Sequence, residues 1–174
     1  MKRILVTGAD GYLGSHVAAR CLALGLPVTA WVHASCAAEL AERETGLRQR
    51  LAGDVVYVGG ELTDASPFAS VDPSTIAGIV HTAGVTRFDV HQRTACRVNV
   101  AGTAAVLRFA ERCTGLRSLV HLSSVYAAGL LSGPIAEAPV NPRRFANHYE
   151  WSKWRAGSVR RGAPGPLAWR VLRV

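Results

Sequence analysis

The sequence predicts a doubly wound, parallel α/β sheet with helices on both faces, and three observations carry that prediction. Short apolar runs of strand length alternate with longer helical patterns along the whole chain. The first run, Ile4-Leu5-Val6, is uninterrupted, as a strand buried on both faces would be. A turn built on Gly8, Gly11 and Gly14 follows it directly. With 174 residues and 49% hydrophobic composition, the chain can bury one sizeable core and reads as one domain over 1–174.

The elements follow in order. A strand over 3–7 runs into the glycine turn, and a helix over 13–24 leaves it. Gly8 permits the tight turn, Gly11 lets backbone approach a pyrophosphate, and Gly14 lets the helix pack closely. Asp10, Tyr12 and Leu13 complete this candidate cofactor cradle, whose helix would aim free N–H groups at phosphates. A second strand over 27–32 ends at His33, where an acidic partner for the ribose hydroxyls of NAD is expected. No carboxylate stands there, and Arg43, Arg48 and Arg50 follow in a helix over 36–51, so NADP(H) is preferred and NAD(H) stays open. Strands over 54–58 and 77–82 come next, then a long helix over 92–113 with apolar Val98, Ala101, Ala105, Leu107 and Ala110. A fifth strand over 117–123 ends at Ser123-Ser124. A helix over 147–161 and a sixth strand over 167–172 close the chain. Loops 64–75 and 129–146 hold prolines and glycines, and no internal repeat or linker is visible.

Tyr149 and Lys153, four residues apart, fall on one face of the last helix. An ammonium one turn from a phenol favours the phenolate, so this pair can exchange a proton with a substrate oxygen. Ser124, at the end of an apolar strand, suits a hydrogen bond to that same oxygen.

Six motifs in sequence order then resemble the extended short-chain dehydrogenases/reductases: Thr7 to Gly14, Gly60-Glu61-Leu62-Thr63-Asp64, His81-Thr82-Ala83-Gly84, Asn99-Val100-Ala101-Gly102-Thr103, Ser123-Ser124-Val125-Tyr126, and Tyr149 to Lys153. The resemblance implies a Rossmann-type sheet, with Glu61 and Leu62 flanking the adenine and Thr82, Ala83 and Gly84 lining the cofactor. It implies Ser124, Tyr149 and Lys153 as catalytic, Lys153 also holding the nicotinamide ribose, and Asn99 linking the lysine to solvent through a water. Ala83-Gly84-Val85-Thr86-Arg87-Phe88-Asp89 and Asn147 to Trp154 resemble most the subgroup of fatty acyl-CoA reductases and thioester reductase domains. That subgroup acts on acyl thioesters of CoA or phosphopantetheine. Nucleotide-sugar epimerases and dehydratases share the same catalytic motifs and form the alternative. Family members carry a further substrate subdomain, so the chain reads as truncated at its C-terminal end, and Val174 replaces the usual Pro. A non-catalytic or partner-dependent cofactor domain is a third reading. Relatives dimerise through the helices matching 92–113 and 147–161, which implies a homodimer.

The net charge of +8 invites nucleic acid, but the arginines are scattered and no aromatic-interleaved basic motif occurs. Basic surface around a phosphate-bearing cofactor or a CoA-like substrate accounts for the sign, with Arg143-Arg144 and Arg160-Arg161 read as solvated. Cys21, Cys36, Cys96 and Cys113 form no C-x-x-C pair, and the six histidines show no ligand spacing, so neither disulfides nor a metal site is expected. No apolar run has signal-peptide or membrane-spanning length, so a cytoplasmic protein is expected.

Overall fold

The computed structural model of the chain describes residues 1–159 and 168–174. Its strands are β1 (Arg3–Thr7), β2 (Val28–His33), β3 (Val55–Gly60), β4 (Ile76–His81), β5 (Ser118–Ser123) and β6 (Ala168–Arg173). Its helices are α1 (Tyr12–Ala23), α2 (Ala37–Arg48), α3 (Gln92–Ala95), α4 (Gly102–Arg112) and α5 (His148–Ser158). The strands form one parallel sheet in the order β3-β2-β1-β4-β5-β6, so the chain reverses its direction of winding between β1 and β4. Ligands of open parallel sheets bind beyond the carboxyl ends of the strands at such a point.

Two apolar layers cover the faces. On one, Leu5, Trp31, Ile79 and Leu119 of the sheet meet Val106 and Phe109 of α4. On the other, Val6, Val28, Ala30 and Val32 meet Ala18 of α1 and Leu47 of α2. Each large side chain buried in this way contributes roughly 1.5–3 kcal/mol. Trp31, Phe68 and Phe109 stack in series at ring separations of 5.4 and 5.0 Å, and the Trp31 indole N–H donates to the Pro67 carbonyl.

The long helix expected over 92–113 is interrupted. A π-helical turn, Cys96–Ala101, separates α3 from α4. The side chain of Asn99 accounts for it: its amide reaches sideways to the backbone of Val85 and to Ser152, and the turn widens to present it. The helix expected to reach 161 is described to Val159, so Arg160 and Arg161 lie outside the described residues, as does Leu167 before β6.

Candidate active site

The carboxyl ends of β1 and β4 are stitched together at the glycine turn. The Thr82 N–H and hydroxyl both donate to the Thr7 carbonyl, at 3.3 and 2.6 Å. Gly8 has φ +68°, and a Cβ there would lie 2.8 Å from the Ala83 Cα. At Gly14 a Cβ would fall 1.9 Å from the Gly8 carbonyl oxygen, so the entry of α1 is closed to any other residue. Gly11 caps α1 without a side-chain hydrogen bond, and no acidic residue occupies the first turn. The N–H groups of Tyr12, Leu13 and Gly14 are therefore open to an anion. The cradle fits a dinucleotide pyrophosphate, and the Ala83 backbone lies directly across from Gly8.

Beyond the ends of β1, β2 and β3 two side-chain contacts cross the loops. The His33 Nε2 lies 2.6 Å from the Glu61 carboxylate, and the Arg43 guanidinium donates to Asp10 at 2.6 Å. The carboxylate missing after β2 is thus supplied in space by Glu61, through register pairing of His33 with Gly60. Arg48 pairs with Glu44 and lies 5.2 Å over the Tyr57 ring. Leu62 is buried in the core and packs on Gly102.

Beyond β5 the backbone turns through a short 3₁₀ helix, Val125–Ala128, that Ser124 caps by accepting from the Tyr126 N–H at 3.3 Å. That bond uses an acceptor site, and the Ser124 hydroxyl proton has no partner among the described residues. Asn147 caps α5 by accepting from the Glu150 N–H, while the Glu150 carboxylate accepts from the Ala146 N–H, a reciprocal box that fixes the helix start. Tyr149 and Lys153 follow on that helix, 7% and 6% exposed. The Lys153 ammonium donates to the Leu122 carbonyl at 2.8 Å, two residues before Ser124. Burial lowers its pKa to about 8. Among the described residues no carboxylate pairs with it.

Asn99 is 3% exposed, and its amide is fully used: the oxygen accepts from the Val85 N–H, and the nitrogen donates to the Val85 carbonyl and the Ser152 hydroxyl. No hydrogen bond to Lys153 is present among the described residues, so Asn99 ties the loop after β4 to α5. Behind the site, His81 bridges Thr7 and Thr103, and burial with the Lys153 charge lowers its pKa to about 3. His121 stacks on Trp169 at 5.7 Å, and neither of its ring nitrogens has a partner among the described residues. A cavity of about 670 Å³, lined by Ser123, Lys153, Trp154, Trp169 and Leu172 among others, opens beside α5. Arg173 fastens its outer wall by donating to the Ala136 and Ala138 carbonyls.

Residues 4–157 match the model of the NAD dependent epimerase/dehydratase family. The chain belongs to that family. The fatty acyl-CoA reductase 2 of Mus musculus is 34% identical to this chain over 76 residues, 42% of this chain and 15% of that protein. The terminal R domain from the myxalamid PKS-NRPS biosynthetic pathway superposes with a TM-score of 0.82 at 24% identity, over 99% of this chain and 48% of that one. The UDP-glucose-4-epimerase from Stenotrophomonas maltophila, solved with bound NAD, superposes with a TM-score of 0.80 at 22% identity, over 99% of this chain and 52% of that one. The chain spans about half the length of these two structures and less of the mouse reductase. For this epimerase/dehydratase family chain, sequence reading missed three features of the site: the Glu150 capping box, the Asn99–Val85–Ser152 bridge, and the rings of Phe88 and Tyr126 beside Tyr149. Only the first carried a local signal, Asn147 three residues before Glu150.

Proposed function

We propose that the chain is a reductase of this family that uses NADP(H) or NAD(H) on a carbonyl or acyl thioester substrate. The observation that carries the reading is the buried Lys153 ammonium, one helical turn from Tyr149 and bonded to backbone at the end of β5. A buried lysine without a carboxylate is costly, and such groups are retained where chemistry uses them. Gly8, Gly11, Gly14 and the N–H groups of Tyr12 to Gly14 would hold the pyrophosphate, and Thr82, Ala83 and Gly84 the path toward the nicotinamide. When bound, the cofactor supplies the hydride to the substrate carbon. Ser124 donates its free hydroxyl proton as a hydrogen bond to the substrate oxygen, and Tyr149 transfers a proton to that oxygen. Lys153 offsets the charge left on the phenol. The mouse relative supports an acyl thioester as substrate; residues 1–174 are read as one cofactor domain of a cytoplasmic homodimer.

The test is a thermal unfolding titration with NADPH and with NADH, followed by NADPH oxidation with an acyl-CoA. At a hundredfold excess over Kd, a ligand of the folded state adds about 2.7 kcal/mol. A shift with either cofactor, and oxidation of its reduced form on adding acyl-CoA, support the reading. No shift with either would leave a chain that needs a partner polypeptide. A second reading, epimerisation or dehydration of a nucleotide sugar, is favoured by the likeness to the NAD-bound epimerase. Cofactor retained through purification and turned over without net oxidation would select it.

A further inference from the structure

Phe88 stands at the tip of the loop after β4, half exposed, and its ring meets two others edge-on. The Tyr126 ring lies 5.1 Å away at 77°, and the Tyr149 ring 5.5 Å away at 72°. Phe88 is 53% and Tyr126 49% exposed, whereas Tyr149, on α5, is buried beside Phe88. The loop is held at its base by the paired bonds of Asn99 to Val85. Near its tip, Val90 N–H donates to the Arg87 carbonyl, and the Arg87 guanidinium grips Asp89 through two nitrogens at 3.0 and 2.8 Å. Two large rings are thus kept in water at 77° to each other, Phe88 beside Tyr149 and Tyr126 beside the serine that accepts from its backbone N–H.

We propose that Phe88, with Tyr126, is the specificity-determining wall of this site, and that it packs the apolar chain carried on the carbonyl carbon of an acyl thioester. The inference rests on the reductase reading and names what that site accepts. A hydrocarbon chain laid across the two rings removes apolar surface from water on both partners. A sugar in the same place would find only the Tyr126 phenol among these two rings to hydrogen-bond its hydroxyls, and each hydroxyl left unpaired costs affinity. Asn99 acts here as a positioning residue for the loop, because the widened helical turn that presents it fixes Val85 three residues before Phe88.

The experiment measures binding of saturated acyl-CoAs of increasing chain length, of CoA alone and of a UDP-sugar to the full 174-residue chain by calorimetry, alongside NADPH oxidation. Affinity is expected to rise by up to about fourfold for each methylene that reaches the wall. Phe88→Ala is expected to flatten that dependence and cost about tenfold with the longer chains, Phe88→Leu to restore part of it, and both to unfold at the wild-type temperature. An unchanged chain-length dependence in Phe88→Ala, or none in the wild type, overturns the inference. If the wild type oxidises NADPH with acyl-CoA while Phe88→Ala keeps the same dependence, the reductase reading survives alone. If the Phe88-dependent increments appear without NADPH oxidation, the wall stands and the reductase reading falls. A UDP-sugar bound in preference to every acyl-CoA overturns both.

Discussion

Lys153 and His121 are two buried basic side chains that have no counter-charge among the described residues. For Lys153 the folded pKa of about 8 lies below the ordinary lysine value of about 10.4. Between those two values the unfolded chain binds more protons than the folded one, so this group's contribution to stability rises with pH across that window. Below about pH 8 its desolvation penalty is present in full. The stability of the wild type relative to Lys153→Met is therefore expected to rise by about 2 kcal/mol between about pH 8 and 9.5, read by urea unfolding at each pH. A flat difference would mean that the ammonium is solvated. His121 carries two ring nitrogens with no partner among the described residues, between the His81 ring at 5.2 Å and the Trp169 ring. His121→Phe keeps the stacking and removes the orphaned polar atoms, so it is expected to stabilise the fold by about 1 kcal/mol. A loss of stability of that size would reveal a polar partner for the imidazole.

At the scale of elements, the π-helical turn between α3 and α4 is where one side chain decides how three segments meet. Asn99→Ala removes three hydrogen bonds and strands the backbone of Val85, at an expected cost of about 3 kcal/mol in urea unfolding. Faster amide exchange at Val85 should accompany it, whereas a loss confined to α3 and α4 would contradict the bridging role. Such a turn was not legible in the sequence, because its partners are 14 and 53 residues away and no local pattern links them. The strands were legible, since runs such as Ile4-Leu5-Val6, between Arg3 and Thr7, and Leu119-Val120, between Ser118 and His121, are short, apolar and bounded by polar residues. The glycine turn was legible for the same local reason: 1.9 Å between a Gly14 Cβ and the Gly8 carbonyl is a constraint within seven residues. His33 shows the limit of local reading. The sequence leaves the end of β2 without a carboxylate, and the register of β3 returns one from Glu61. Leu62, read as an adenine contact, lies in the core under Gly102 because the chain turns inward after β3.

For the whole molecule, acid should unfold the chain from the centre of the sheet. His81 and His121 pair in register on adjacent strands, and burial lowers the pKa of both, His81 to about 3. Their contribution is complete above about pH 6.5 and is lost as pH falls toward the folded value. His81 alone is expected to cost about 2 kcal/mol at about pH 5, visible as a lower urea midpoint than at neutral pH. An unchanged midpoint would place water around the pair. Among twenty basic residues of the chain only two are lysines, Lys2 and Lys153. Since burial brings Lys153 to about 8, roughly a tenth of it is the free amine at neutral pH, and the cavity it lines gives a small reagent access. An amine-directed acylating probe therefore has three target amines in this protein, the α-amino group, Lys2 and Lys153, of which Lys153 alone lines that cavity. Protection of that one site by NADPH or NADH, followed by mass spectrometry, would report occupancy of the proposed cofactor site without a substrate.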